Sequence, residues 1–418
     1  MKIIEIEGQK ELSGTIRVSG AKNATVALIP AAILTDEEAT ICNVPEITDT
    51  EALCEILEVL NVKVNRSTES LVINPKDMIN TEIEEKYSKK LRASYYFMGA
   101  LLGKYKKAVM YFPGGCSIGA RPIDLHLKGF EALGAKVTSN KNQYIVEAEE
   151  LKGANIYLDI ASVGATINIM LAAVKAKGTT IIDNAAKEPE IVNVATFLNN
   201  MGAKITGAGT SRIKIVGVNK LHKCFHEVIP DRIEAGTYLI IGALCGNNLK
   251  IDNMIPEHLE ALTSKLEEMG IELEKGIDYI TILGKNEKYK NTNIKTAVYP
   301  GFPTDLQQPF TVLLTQANGK SKVTETIWEN RFMHIPYLKD LGADIEVKNQ
   351  TATILGPTEL KGTQVVATDL RAGAAMVAAG LLASGTTTIT NVEHILRGYE
   401  DIIEKLTDVG AKIKLKEI

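Results

Sequence analysis

A short phrase recurs six times along this chain, each time where a helical pattern gives way to a strand. It reads Leu60-Asn61-Val62-Lys63-Val64, Leu133-Gly134-Ala135-Lys136-Val137 and Met201-Gly202-Ala203-Lys204-Ile205 in the first half. It returns as Met269-Gly270-Ile271-Glu272-Leu273, Leu341-Gly342-Ala343-Asp344-Ile345 and Val409-Gly410-Ala411-Lys412-Ile413. The second residue is glycine or asparagine, the two residues that best tolerate the left-handed backbone closing a helix. A period of about 70 residues, repeated six times, accounts for all 418 residues.

The last repeat shows the internal order. A strand at Thr353-Ile354-Leu355-Gly356 is followed by a second at Leu360 to Val366, a helical stretch from Ala372 to Leu382 and a strand at Thr386 to Thr390. A second helix, Tyr399 to Asp408, ends in the repeated phrase, and Lys412 to Leu415 closes the repeat. Strands alternating with helices specify an α/β fold. The opening stretches Ile3 to Gly8 and Leu12 to Val18 have the same strand pattern, so the first repeat is expected to begin at residue 1. They could instead pair with the last repeat, since both chain ends are strand-like. Six repeats exceed one core of ordinary size, which implies two domains of three repeats. One is expected at about 22–229 and the other at 1–21 plus 230–418, linked near Ser19-Gly20 and Ile229-Pro230-Asp231. Units this long, each with its own helices and strands, suggest a compact pair with a cleft and not a solenoid.

Aligning the repeats puts their unusual residues in register. The residues just before the first helix are Lys22, Arg92, Ser162, Arg232, Asp305 and Arg371. A cation at a helix N-terminus opposes the helix dipole. Four such cations suggest that dipole and side chain share an anionic guest. A second loop carries Cys116 and Arg121, then Glu188 and Glu190, His258, Glu329 and Arg331, and finally Arg397. Lys22, Arg92, Arg121, Arg371 and Arg397 are expected to line one cleft whose guest carries phosphate and carboxylate. Asp305 breaks the cationic series: it is either an ion-pair partner or a general base for a hydroxyl proton.

The stretch from Pro113 to His126 holds three glycines within seven residues, a cysteine at the tip and an arginine five residues on. Pro122 and Asp124 suit the first turn of a following helix. A free cysteine is usually a small buried hydrophobe, yet the neighbours of Cys116 are Gly, Gly, Ser and Gly. A thiol beside a guanidinium and a helix N-terminus suits proton transfer or nucleophilic attack on an anion.

Bulk properties narrow the rest. Net charge is −4, so nothing recommends nucleic acid or an anionic membrane, and any anion site must be local. The N-terminus shows no signal-peptide pattern, and the most apolar stretch, Ala372 to Ala383, is too short to span a bilayer. Five scattered cysteines without a CxxC favour free thiols and the cytoplasm. His222-Lys223-Cys224-Phe225-His226 is the only tight cluster of metal-ligand types, and no second cluster completes a shell, so no metal is expected.

These residues resemble the UDP-N-acetylglucosamine 1-carboxyvinyltransferase family of enolpyruvyl transferases. The resemblance is carried over the whole chain by Ser19-Gly20-Ala21-Lys22-Asn23, Arg92-Ala93-Ser94, Pro113 through His126, Ser162-Val163-Gly164-Ala165-Thr166 and Pro300 through Asp305. Glu329-Asn330-Arg331-Phe332, Thr368-Asp369-Leu370-Arg371 and Arg397-Gly398-Tyr399-Glu400 complete it. It implies a two-domain inside-out α/β barrel with three repeats per domain. It also implies transfer of the enolpyruvyl group of phosphoenolpyruvate to the 3′-hydroxyl of UDP-N-acetylglucosamine, through a tetrahedral ketal, with release of phosphate. No cofactor is implied, and no partner beyond the two small-molecule substrates.

Carried over by position, Cys116 is the thiol that protonates or bonds to phosphoenolpyruvate, and it is the group that an epoxide phosphonate such as fosfomycin alkylates. Asp305 deprotonates the sugar hydroxyl. Lys22, Arg121 and Arg397 hold phosphoenolpyruvate, with Arg92 and Arg371 nearby, and Arg331 is a further substrate-binding residue. Asn23, Pro122, Ile123, Asp124, Leu125, Ser162, Val163, Gly164, Asp305 and Ile327 contact the nucleotide sugar. Some relatives have lysine just before the Ser-Val-Gly run, where Ile160-Ala161 stand here, and the aromatic residue expected after Arg92-Ala93-Ser94 is Tyr96. The rival readings are a shikimate-3-phosphate enolpyruvyl transferase and a catalytically silent nucleotide-sugar sensor. The Gly-Gly-Cys and Asp-Leu-His runs speak against the first, and intact Cys116, Asp305 and Arg397 against the second.

Overall fold

A computed structural model of the chain describes residues 2–417 apart from 69, 113–122, 141, 286 and 287. The third repeat shows the building unit. Strand Asn155–Tyr157 leads into helix Val163–Ala173 and strand Thr179–Asp183; helix Pro189–Asn200 and the hairpin Lys204–Thr206, Arg212–Val216 follow. The first two strands pair in parallel, which their crossover helix permits, and the hairpin pairs antiparallel to Thr179–Asp183 and within itself. The helix-ending phrase is closed as its residues require. Asn61, Gly134, Gly202, Gly270, Gly342 and Gly410 all have positive φ, between 58° and 111°.

The described residues form six sheets. Their assembly corrects one expectation: the N-terminal strands do not open the first repeat. Lys2–Glu7 lies between Thr386–Thr390 and Lys412–Glu417, antiparallel to both, in the sheet of the sixth repeat. Leu12–Arg17 runs parallel to Gly246–Asp252, in the sheet of the fourth. The first repeat takes its parallel strand from Cys224–Glu227, which pairs with Ala39–Cys42. Each set of three repeats thus closes with strands taken from elsewhere in the chain.

The chain divides into two compact units. One combines residues through Ser19 with those from Pro230 onward; the other runs from Gly20 to Ile229, with segment 113–122 left undescribed. Each has its own apolar core, one drawing on residues 21–228 and the other on residues 4–18 and 233–413. In one unit the first helices of the repeats, Arg232–Cys245, Thr304–Leu314 and Leu370–Leu382, pack on one another and are buried nearly all round. In the other, helix Tyr96–Tyr105 packs on both Lys22–Ala31 and Val163–Ala173. Strands such as Arg212–Val216 alternate exposed and buried residues, so the sheets present one face to the helices and the other to water. Gly99 shows how close the helices come: a Cβ there would sit 2.3 Å from the Asn168 carbonyl oxygen. No helix among the described residues is long and apolar enough to cross a membrane.

Candidate active site

The repeat alignment holds at the helix starts. Lys22 is the first residue of helix Lys22–Ala31, and Arg92 opens the 3-10 turn Arg92–Tyr95. Arg232 opens Arg232–Cys245, while Asp305 and Arg371 are second in Thr304–Leu314 and Leu370–Leu382. Ser162 caps Val163–Ala173, its hydroxyl accepting the Ala165 N–H at 3.2 Å.

In the unit built from Gly20 to Ile229, Lys22 meets a partner that sequence reasoning missed. Its Nζ lies 3.0 Å from Asp49 Oδ2, and the Asp49 side chain is 4% exposed. Asp49 sits in the first turn of Thr48–Val59, where a carboxylate reads as ordinary complement to the helix dipole, so only its burial marks it. Asn23, one residue on, is half-buried.

Arg92, Asp124 and Ser162 belong to three segments that converge on His126. The buried His126 ring meets Tyr95 edge-on at 4.9 Å, and the Arg92 guanidinium stands 6.0 Å from the Tyr95 ring centre. Asn168 ties them together: its Nδ2 donates to the Tyr95 carbonyl and to His126 Nδ1, both at 2.9 Å, while its Oδ1 accepts the Gly99 N–H at 2.8 Å. The Gly99 and Tyr95 bonds fix the amide orientation, so His126 Nδ1 accepts and the proton sits on Nε2. Burial, reinforced by the Arg92 charge, pushes the His126 imidazole down to about 3 and keeps it neutral. Gly164 lies against this pair: a Cβ there would come within 2.8 Å of the Tyr95 hydroxyl and 3.1 Å of His126 Nε2. Ile123 is buried beside the helix Asp124–Ala132, Asp124 is exposed, and Leu125 and Val163 are half-buried. Tyr96 is 4% exposed and belongs to the core, while Tyr95 beside it is half-buried and meets the His126 ring. Cys116, Arg121 and Pro122 lie outside the described residues.

In the other unit Asp305 holds two guanidinium groups. Arg331 Nη2 donates to its Oδ1 at 2.7 Å and Arg371 Nη2 to its Oδ2 at 3.2 Å. The two arginine side chains are 3% and 4% exposed, against 28% for Asp305, so the carboxylate alone reaches the surface. The surrounding shell is buried and polar. Asp369 Oδ1 caps the Arg371 helix by accepting the Arg371 and Ala372 N–H groups. Gln308 Nε2 bridges Asp369 Oδ2 and the Arg331 carbonyl. Glu325 fixes two further segments, accepting the Thr304 hydroxyl at 2.9 Å and the Ile327 N–H at 2.7 Å. Arg371 also stacks 5.4 Å above the Tyr399 ring, whose hydroxyl pairs with Thr237 Oγ1 at 2.9 Å. Arg397, half-buried, ends helix Glu393–Leu396, two residues before Tyr399.

A UDP-N-acetylglucosamine 1-carboxyvinyltransferase 2 from Bacillus cereus is 56% identical over 99% of this chain and 96% of its own length. The chain belongs to the UDP-N-acetylglucosamine 1-carboxyvinyltransferase family. A family member from Listeria innocua is 57% identical over 98% of the chain and 96% of its own. The broader model described as EPSP synthase (3-phosphoshikimate 1-carboxyvinyltransferase) matches residues 6–406. Among solved structures, the enolpyruvyl transferase NikO from Streptomyces tendae superposes with a TM-score of 0.90 at 26% identity, covering 99% of both chains. EPSP synthase from Acinetobacter baumannii superposes with a TM-score of 0.77 at 19% identity over the whole of both chains, a likeness of fold. The α/β architecture is therefore that of the enolpyruvyl transferases, and the chain is an enzyme of that class.

Proposed function

We propose that this enzyme transfers the enolpyruvyl group of phosphoenolpyruvate to the 3′-hydroxyl of UDP-N-acetylglucosamine, releasing phosphate, at the entry to peptidoglycan synthesis. The identity of more than half of all positions with transferases named for that acceptor supports the acceptor. The observation that carries the chemistry is Asp305, a carboxylate whose two oxygens are gripped by buried arginines while its edge reaches solvent. Such a group is rigid, charged and accessible, as a base for a hydroxyl must be.

In this mechanism the sugar oxygen attacks C2 of phosphoenolpyruvate as its proton passes to Asp305, and the Cys116 thiol delivers a proton to C3. The ketal forms with no change of oxidation state. It then loses a C3 proton and expels phosphate, leaving the enolpyruvyl ether. Lys22, Arg121 and Arg397 bind the donor, with Arg92, Arg331 and Arg371 stabilising charge on phosphate and carboxylate as the ketal forms. Arginine suits this role because its planar fork matches an oxyanion bidentately. Asn23, residues 122–125, Ser162, Val163, Gly164 and Ile327 position the nucleotide sugar. The neutral His126, held by Asn168 beside Gly164, adds a fixed N–H donor without adding charge near the acceptor.

Phosphate release from phosphoenolpyruvate, followed with each acceptor, tests the reading. Release dependent on UDP-N-acetylglucosamine is expected. Release dependent on shikimate 3-phosphate, or no release with either, would overturn it.

A further inference from the structure

Ser19 is the last residue of its unit before the chain crosses to the other, and four groups converge on it. Its N–H donates to Glu234 Oε2 at 2.8 Å, and its carbonyl accepts the Asp231 N–H at 2.9 Å. Its hydroxyl accepts from Lys405 Nζ at 2.6 Å and donates to Glu400 Oε2. Lys405 Nζ also reaches Glu234 Oε1 at 2.7 Å, with the two side chains 17% and 3% exposed. Burial pushes the Glu234 carboxyl up to about 7, and Lys405 pulls against it.

A buried ion pair of this kind gives little net stability over a well-packed apolar pair, so stability alone does not account for it. What it does is fix geometry. It joins the crossing segment, the start of helix Arg232–Cys245 and the turn Arg397-Gly398-Tyr399-Glu400, three pieces remote in sequence. Glu400 is three residues from Arg397, and Tyr399 between them lies beneath Arg371.

We propose that Lys405 is a positioning residue for the transfer: through Ser19 and Glu400 it sets the turn that carries Arg397, and so the place where that guanidinium meets the anionic donor. The inference rests on the reading of Arg397 as a ligand of phosphoenolpyruvate. A purely structural lysine would affect both substrates alike.

Steady-state kinetics of the full chain carrying Lys405→Met, Ser19→Ala or Glu400→Gln separate these roles. Each substitution removes a hydrogen bond to a charged group and is expected to raise KM for phosphoenolpyruvate about tenfold while KM for UDP-N-acetylglucosamine stays within about twofold. Lys405→Arg should recover part of the loss, and the Ser19→Ala/Lys405→Met pair should be less than multiplicative. Ser19→Ala deletes only a hydroxyl, so it reports even if Lys405→Met does not fold. An unchanged KM for phosphoenolpyruvate in folded Ser19→Ala and Glu400→Gln, or equal rises for both substrates, would overturn the proposal. Arg397→Ala is the control. If it too leaves KM for phosphoenolpyruvate unchanged, the assignment of Arg397 has failed; if it alone raises KM, only the role of Lys405 has failed.

Discussion

Asp305 and Arg331 are joined at 2.7 Å by a hydrogen bond whose donor is buried and whose acceptor is partly open to solvent. Arg331 and Arg371 fix the position of the carboxylate, which is 28% exposed. Replacing Asp305 with alanine removes the proposed base and the negative charge that the two arginines share. We predict a fall in kcat of at least about a hundredfold with little change in KM for the nucleotide sugar. Stability should fall too, by about 3–5 kcal/mol, because breaking a buried pair leaves uncompensated charge. Urea unfolding and steady-state kinetics measure the two effects separately. A loss confined to substrate binding would make Asp305 a clamp and not a base.

For Cys116→Ser we predict that turnover is abolished or sharply reduced while UDP-N-acetylglucosamine still binds, as isothermal titration would show. Fosfomycin in the presence of nucleotide sugar should add to wild-type Cys116, visible by intact mass, and not to the serine variant. Wild-type turnover in the variant would remove the thiol from the chemistry.

Gly164→Ala tests the close packing against Tyr95 and His126, proposed to lie at the acceptor end. The added methyl would meet the Tyr95 hydroxyl at 2.8 Å and His126 Cε1 at 3.0 Å, so one ring must move. Overpacking of this kind costs about 1–3 kcal/mol. The expected outcome is a several-fold rise in KM for UDP-N-acetylglucosamine with KM for phosphoenolpyruvate unchanged. Equal effects on both substrates would detach Gly164 from the acceptor site.

Three buried histidines set an acid limit. Burial holds His126 and His334 down at about 3 and His226 at about 4. Each is neutral in the folded protein, while in the unfolded chain each takes up a proton near pH 6.5. Their contribution is therefore intact above pH 6.5 and is lost as pH falls from there toward the folded values, at about 1.4 kcal/mol per pH unit per fully titrating histidine. Urea midpoints should drop between pH 7.5 and pH 5, before most carboxylates titrate. A flat profile across that window would contradict the account.

What was legible in the sequence, and what was not, follows from how local each signal is. The helix-ending glycines were readable because a left-handed cap restricts residue type at the position itself, and all six positions have positive φ. The register of Lys22, Arg92, Arg232, Asp305 and Arg371 was readable for the same reason, since helix starts recur with the repeat. The exchange of strands Lys2–Glu7, Leu12–Arg17 and Cys224–Glu227 among sheets was not fixed by the pattern, because a strand carries the same alternation whichever neighbours it joins. The sequence pointed to Tyr96, but which of the adjacent Tyr95 and Tyr96 enters the core depends on the 3-10 turn, which buries Tyr96 and leaves Tyr95 half-buried. The alignment put Asp305 and Arg371 at equivalent helix starts and Arg331 on the second loop of its repeat, yet nothing in it said that one carboxylate would bridge both arginines.

Nuclear magnetic resonance of the product formed in deuterium oxide examines the proposed reaction most directly. The account predicts an enolpyruvyl ether on the 3′-oxygen of UDP-N-acetylglucosamine, with deuterium in its vinyl group where C3 was protonated and deprotonated. Phosphate without that ether, or an ether whose vinyl carbon holds no deuterium, would contradict it.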